Sequence, residues 1–272
     1  MIKVSKNIGF IGAGNMANAI IKGLNKDKAE SDYTVFVYDT DTEKTADLGV
    51  EYGVTELNNN IELAKKCEIL VLAVKPNIYA TVLNEIKEHL NSNHIIISLG
   101  AGITIKSIES YSSHELKVVR VMPNMPVSVG QGMIAVTVNK NLDRSEILSV
   151  LNIFSSLGRV DVIEEDLMNM IPAVSGSSPA FVYMFIEALA DGAVLQGMSR
   201  DKAYKYAAQA VLGAAQMVLE NHKHPGELKD MVCSPAGTTI EAVYSLEKSG
   251  FRGSIIEAMN ICTKKTHKMA CD

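Results

Sequence analysis

The stretch Ile8-Gly9-Phe10-Ile11-Gly12-Ala13-Gly14-Asn15-Met16-Ala17 joins a short aliphatic run to a G-x-G-x-x-A turn and opens directly onto helix-compatible sequence. Each small residue in it has a physical task. Gly12 permits the tight turn, Gly14 has no side chain to keep a pyrophosphate from the backbone, and Ala17 lets the following helix pack closely on a sheet. Phosphates then meet the free N–H groups and the positive dipole end of that helix, where Ala13, Asn15 and Met16 lie. Alone, the pattern is compatible with a purely structural turn. Its context strengthens it, because it starts an alternating β/α pattern and an acid follows at the expected distance. Asp39 closes the next aliphatic run, 22 residues beyond Ala17. A carboxylate there accepts from ribose hydroxyls and repels a 2′-phosphate, which predicts NAD(P)H as the cofactor with NADH modestly favoured over NADPH. Lys44 lies close enough in sequence to leave that preference open.

Working outward, strands are expected at 7–11, 33–38, 69–74, 95–98, 117–122, 133–138 and 159–163. The runs at 69 and 95 are continuously apolar, as in parallel strands covered on both faces. Helices are expected at 15–25, 42–52, 77–90 and 143–157. The alternation defines an α/β Rossmann fold, doubly wound around a mostly parallel sheet, over residues 1–165. Ligands of such sheets bind beyond the carboxyl ends of the strands. The segments Ala73-Val74-Lys75-Pro76 and Ser98-Leu99-Gly100-Ala101-Gly102 close two strands there, as ordinary turns or as nicotinamide contacts.

After Ile163 the texture changes to helix rich in alanine and glycine, which predicts an all-α dimerisation domain over 166–272. From 178 to 198 only Tyr183, Glu187 and Asp191 form a polar stripe, and 203–219 is rich in small residues. So much apolar helix surface exceeds what one small bundle covers, so a second copy of the chain is expected on it. Two loops of low charge, 175–180 and Ser234-Pro235-Ala236-Gly237-Thr238-Thr239, precede helices. They serve either as N-caps or as sites where backbone N–H groups hold a small anion.

Composition narrows the class. The 272 residues are 47% hydrophobic and 21% charged, with 26 Lys+Arg against 31 Asp+Glu, a net charge of −5. Such a chain buries a real core, and its acidic balance argues against nucleic acid as partner. No targeting segment is expected at the N-terminus, and Glu187 and Asp191 interrupt the longest apolar stretch, so no membrane is expected either. Cys67, Cys233, Cys262 and Cys271 form no C-x-x-C pair, which predicts reduced thiols and a cytoplasmic location. His222 and His224 have no third ligand nearby in sequence, so no metal site is expected.

Several blocks together resemble the pyrroline-5-carboxylate reductase family across nearly the whole chain. They are 9–17, 73–76, Arg120-Val121-Met122-Pro123-Asn124, 175–180 with 187–192, and His224-Pro225-Gly226 followed by 234–240. The last two are far more specific than the glycine turn. The resemblance implies reduction of the cyclic imine Δ1-pyrroline-5-carboxylate to L-proline, the last step of proline biosynthesis, by NAD(P)H. It places Asn60, Val74, Lys75, Pro76 and Ala101 at the cofactor, and Ser234, Gly237 and Thr238 at the substrate carboxylate. Thr239 faces the ring nitrogen as the catalytic hydroxyl, positioning rather than donating a proton. Interlocked homodimers, further assembled to decamers, are also implied. Two positions depart from relatives: Ala236 stands where many have glycine, and Asp39 replaces a serine-containing stretch. Two other readings compete, a 3-hydroxyacid dehydrogenase and a nucleotide sensor without turnover. The first would need a lysine from the helical domain, and none occurs between Lys140 and Lys202.

Overall fold

The computed structural model describes residues 6–25 and 33–271. The expectation about the extreme N-terminus and the thiol of Cys271 lie outside the described residues. Among the described residues eight strands form one sheet: β1 (Lys6–Ile11), β2 (Tyr33–Tyr38), β3 (Thr55–Glu56), β4 (Ile69–Leu72), β5 (Ile95–Ser98), β6 (Lys117–Met122), β7 (Gly132–Val138) and β8 (Gly158–Val162). Their order is β3-β2-β1-β4-β5-β6-β7-β8. Neighbours are parallel except β6 and β7, which are antiparallel. The chain therefore winds outward from β1 to β3, returns past β1 to β4, and leaves a switch point between β1 and β4.

The helices are α1 (Asn15–Leu24), α2 (Thr42–Tyr52), α3 (Asn60–Lys66), α4 (Tyr79–Ile86), α5 (Ile105–Glu109), α6 (Arg144–Ser155), α7 (Ser178–Leu195), α8 (Arg200–Asn221), α9 (Pro225–Val232), α10 (Thr238–Lys248) and α11 (Phe251–Cys271). Alternate residues of each central strand feed opposite layers of the core. Ile69, Val71, Ile95 and Ile97 pack with Ile20 and Ile21 of α1 and with Ile153 and Phe154 of α6. Leu70, Leu72 and Ile96 pack with Leu63 of α3 and with Val82, Leu83 and Ile86 of α4. Every residue of β4 and β5 is buried, which is why those runs carry no polar alternation.

Some local features differ from the sequence expectation. β3, α3 and α5 are too short to show a period of their own. The expected 77–90 helix is α4 flanked by tighter 3-10 turns at Pro76–Ile78 and Lys87–His89, since Pro76 starts the first turn with no N–H to give. The β4 strand ends at Leu72, and Ala73 and Val74 already belong to the turn. Helix α6 starts where Asp143 accepts from the N–H groups of Ser145 and Glu146 while Glu146 reaches back to Asp143 N–H.

The chain forms two compact units, residues up to Gly176 together with 262–271, and Ser177–Ile261. The segment between the expected boundary near residue 165 and Gly176 is held to the first unit by hydrogen bonds. Glu165 Oε1 accepts from Arg120 Nη1 at 2.8 Å and from the Ile105 N–H at 2.8 Å. Asn124 Nδ2 donates to Ser175 O at 3.0 Å, and its Oδ1 accepts from the Met133 N–H at 2.9 Å. These bonds stitch the segment after β8 onto the ends of β6 and β7.

In the second unit α7 and α8 pack on each other, and the buried apolar side chains are the alanines Ala190, Ala203 and Ala207. The Phe185 and Phe251 rings lie 6.1 Å apart, while Met184 is 69% and Leu195 84% exposed. Within one chain this unit thus buries small residues and exposes large ones, the inverse of a finished core. Pro172–Leu195 is long and apolar enough to cross a membrane by length and composition, and only 6% of its apolar window is buried.

Arg120 is 2% exposed whereas the Glu165 side chain retains 34% exposure. Removing the glutamate strands a buried guanidinium, while removing the arginine leaves a carboxylate that water can reach. Glu165→Ala is therefore expected to cost about 3 kcal/mol and Arg120→Met about 1–2 kcal/mol. Urea unfolding of the two variants checks the order.

Candidate active site

The site is built first from backbone. Gly12 follows β1 with φ of +103°, and a Cβ there would stand 2.9 Å from Ala73 O. Both the left-handed conformation and the close approach require glycine. The Gly12 N–H donates to Tyr38 O at 2.8 Å, and the Ala73 N–H donates to Ile11 O at 2.9 Å. The ends of β2, β1 and β4 are thereby held together at the switch point. Gly14 caps α1 in ordinary extended geometry, φ −72° and ψ −179°. Its demand is spatial: a Cβ built on it meets nothing within 4 Å, because it would project into open cleft. Ala17 is fully buried where α1 meets the sheet. Asn15 is exposed in the first turn of α1, and Met16 packs against the core.

The cleft holds about 500 Å³ and is lined by Ile11, Gly12, Gly14, Tyr38, Asp39, Thr40, Asn60, Ala73, Val74, Lys75, Ile78, Thr81, Val82 and Glu85. The fold thus brings Gly12, Gly14, Asp39, Asn60, Val74 and Lys75 of the expected cofactor set to one cavity. Asp39 is half-buried. Its Oδ2 accepts from the Ala13 N–H at 2.7 Å and its Oδ1 from the Asp41 N–H at 2.9 Å. A carboxylate has lone pairs for about four such bonds, so it can brace the glycine turn and still accept from a ribose. Asn60 is 7% exposed, and its Nδ2 donates to Glu85 Oε2 at 2.7 Å. Its Oδ1 is buried without a hydrogen-bond partner, which costs about 1–3 kcal/mol until a donor arrives. An open cradle at Gly14 and an unsatisfied acceptor at Asn60 fit a dinucleotide bearing phosphates and hydroxyls.

Pro76 lines a second cavity of about 670 Å³ shared with Lys75, Tyr79, Gly102, Thr104 and Tyr111. Ala101 is half-buried in the turn after β5 and lines neither cavity. Tyr79 is buried beneath these turns. Its hydroxyl donates to Leu72 O at 2.8 Å and accepts from Ser98 Oγ at 3.1 Å. Burial pushes that hydroxyl up to about 12, so it remains a neutral pin between β4 and β5 rather than an acid or base.

In the second unit, Ser234-Pro235-Ala236-Gly237 is a tight turn closed by a bond from the Gly237 N–H to Ser234 O at 3.0 Å. Pro235 suits the second position of such a turn, while Ala236 at the third takes φ of +55°. Glycine at that position would avoid the strain. Gly237 is the N-cap of α10, and no side chain caps the helix. The N-capping alternative therefore does not describe this loop. Its N–H groups stay free of side-chain caps, as an anion site requires. Ser234 and Thr238 are exposed and Thr239 is half-buried. His224 Nδ1 accepts from the Gly226 N–H at 3.0 Å and so starts α9. Among the described residues no cluster of three or more His, Cys, Asp or Glu could hold a metal.

Sequence reasoning missed Thr81 and Glu85, which α4 turns toward the cleft one helical turn apart. No motif marks them, since their role depends on how α4 docks over α3.

A glycine-turn cleft at the switch point of a doubly wound sheet, in a chain that continues into a helical unit, defines a nicotinamide-dinucleotide oxidoreductase. Residues 7–102 match the family described as NADP oxidoreductase, coenzyme F420-dependent, and residues 165–269 match pyrroline-5-carboxylate reductase dimerisation. The chain is 46% identical over 98% of its length to pyrroline-5-carboxylate reductase of Escherichia coli (strain K12), covering 99% of that protein. It is 38% identical over 97% of its length to that of Methanosarcina acetivorans, covering 98%. The crystal structure of Plasmodium falciparum pyrroline carboxylate reductase with NADP bound superposes with a TM-score of 0.88 at 34% identity, over 98% of this chain and 99% of that one. The chain belongs to the pyrroline-5-carboxylate reductase family, and its helical unit is a self-association domain.

The two glycines are separable. Gly14→Ala should leave thermal stability unchanged yet weaken NAD(P)H binding by about tenfold, since its methyl enters the cleft. Gly12→Ala should lower stability by about 2 kcal/mol or more through the left-handed conformation and the contact with Ala73. Thermal melts with nucleotide titrations distinguish them.

Proposed function

We propose that this chain reduces Δ1-pyrroline-5-carboxylate to L-proline with NAD(P)H, the last step of proline biosynthesis, with NADH favoured over NADPH. The observation that carries the reaction is the 46% identity, spanning both units, to a relative of that name. Asp39 supports the cofactor preference, as an acceptor at the end of β2 on the cleft.

In this reading the N–H groups at the start of α1 hold the pyrophosphate over Gly14, and Asp39 and Asn60 accept from the adenosine ribose. Val74, Lys75, Pro76 and Ala101 bound the nicotinamide end. In the second unit the backbone around Ser234, Gly237 and Thr238 takes the substrate carboxylate at the N-terminus of α10. The Thr239 hydroxyl bonds to the ring nitrogen and fixes the face that the imine carbon presents. The bound reduced nicotinamide supplies the hydride. The protonated imine already carries the proton that the amine keeps, so the chain need not provide an acid at that moment. A turn of hydroxyls and amides suffices.

A homodimer belongs to the same reading. The large apolar side chains that α7 and α8 expose need a cover, and a second copy of the helical unit provides one. Assembly of dimers to decamers and a cytoplasmic location are further parts of it. The free thiols of Cys67 and Cys233 are in keeping with a reducing compartment.

Loss of nicotinamide absorbance on addition of pyrroline-5-carboxylate tests the reaction, and no substrate-dependent loss with either cofactor would overturn it. Thr239→Ala should lower kcat by about 10-fold or more while leaving the Kd for NADH nearly unchanged. Equal turnover would remove Thr239 from its assigned place. Asp39→Ser should shift kcat/KM toward NADPH relative to NADH. It should also raise KM for both, because the Ala13 N–H loses its acceptor.

A further inference from the structure

Glu85 lies on α4 and Asn60 opens α3, 25 residues earlier in the chain, yet their side chains meet at the cleft. The bond between them is directional. A carboxylate oxygen only accepts, so the amide must turn its Nδ2 toward Glu85, and Oδ1 is left as its remaining polar atom. That oxygen is the one buried side-chain polar atom without a partner among the described residues. Asn60 is thus held as an acceptor awaiting a donor.

Asp39, on the same cleft, is likewise acceptor-only, and its carboxylate is fixed by the Ala13 and Asp41 N–H groups. Two fixed acceptors match the two hydroxyl donors of an unmodified ribose. A 2′-phosphate would bring acceptors and negative charge to the same place. The cations nearby do not offset this. Lys44 is paired with Asp41 at 2.7 Å, and Lys75 follows β4, on the other side of β1 from Asp39.

We propose that Glu85 is a positioning residue for cofactor selectivity: by fixing the Asn60 amide it makes the cleft present an acceptor to the adenosine ribose, favouring NADH over NADPH. This rests on the reading of the cleft as the NAD(P)H site, but not on which imine is reduced.

The test reads the Kd of NADH and of NADPH by nicotinamide fluorescence on the full chain. In Glu85→Gln the amide at 60 is free to turn over and offer Nδ2–H. The ratio of NADPH Kd to NADH Kd should fall by about five- to tenfold, with the melting temperature unchanged. Asn60→Ala, which deletes Oδ1, should weaken NADH more than NADPH. On the Asn60→Ala background, Glu85→Gln should no longer move the ratio, because Glu85 acts through Asn60.

An unchanged ratio in Glu85→Gln, or equal weakening of both cofactors, overturns the proposal. So does a shift of the same size with and without Asn60, which would make Glu85 act by its own charge. Because binding is read rather than turnover, a chain that binds both nucleotides but does not reduce the imine fails the reaction and not this inference.

Discussion

Everything at the cofactor end depends on three parallel strands finishing together. The Gly12 N–H reaches Tyr38 O on one side of β1, and the Ala73 N–H reaches Ile11 O on the other. These two bonds continue the sheet ladder one residue past β1 and β4, just where the winding direction reverses. Helices lie on opposite faces either side of that reversal, which leaves a cleft at the strand ends. The glycine turn, Asp39 and the Ala73–Lys75 turn have no freedom to sit elsewhere. The left-handed Gly12 is the condition for this closure, since any Cβ would push against Ala73 O.

That constraint explains what the sequence made legible. The central strands announce themselves because burial on both faces allows only aliphatic residues there. The turn announces itself because its glycines answer to backbone needs that no other residue meets. Asp39 follows from its place at the end of β2, 22 residues beyond Ala17. The short pieces β3, α3 and α5 are held by their neighbours rather than by their own pattern, and composition carries no trace of them. Asn60 was reached only through family resemblance, because an asparagine in the run 58–60 looks like a turn. Its partner Glu85 was not reached at all. That pair exists because α4 crosses α3 at one distance, a tertiary fact with no local period. The attachment of the segment after Glu165 to the first unit is equally tertiary, since one buried arginine, Arg120, recruits Glu165.

The two units solve opposite problems. The first closes two core layers with large side chains on both faces of the sheet. The second buries alanines and leaves Tyr183, Met184, Leu195 and Tyr206 outside. Small residues between α7 and α8 bring the helices close together, which drives the larger side chains outward. Close packing inside one chain therefore creates the surface that a second chain must cover. This links the alanine- and glycine-rich sequence of the helical half to self-association more directly than composition alone does.

The turns at the two functional ends are also built by different means. The cofactor turn uses glycine where the conformation is left-handed, so it holds its shape without strain. The 234–237 turn puts Ala236 at φ +55° instead, at a cost of about 1 kcal/mol. Three features over-determine that conformation. Pro235 presets the preceding residue, the Gly237 N–H closes onto Ser234 O, and Gly237 leaves no room for a side chain, since a Cβ would stand 2.3 Å from Ser234 Oγ. The strain falls one residue before the start of α10, whose N–H groups have no capping side chain. Gly237 has no side chain to occupy those donors, and the N-terminus of α10 is left without a side-chain cap.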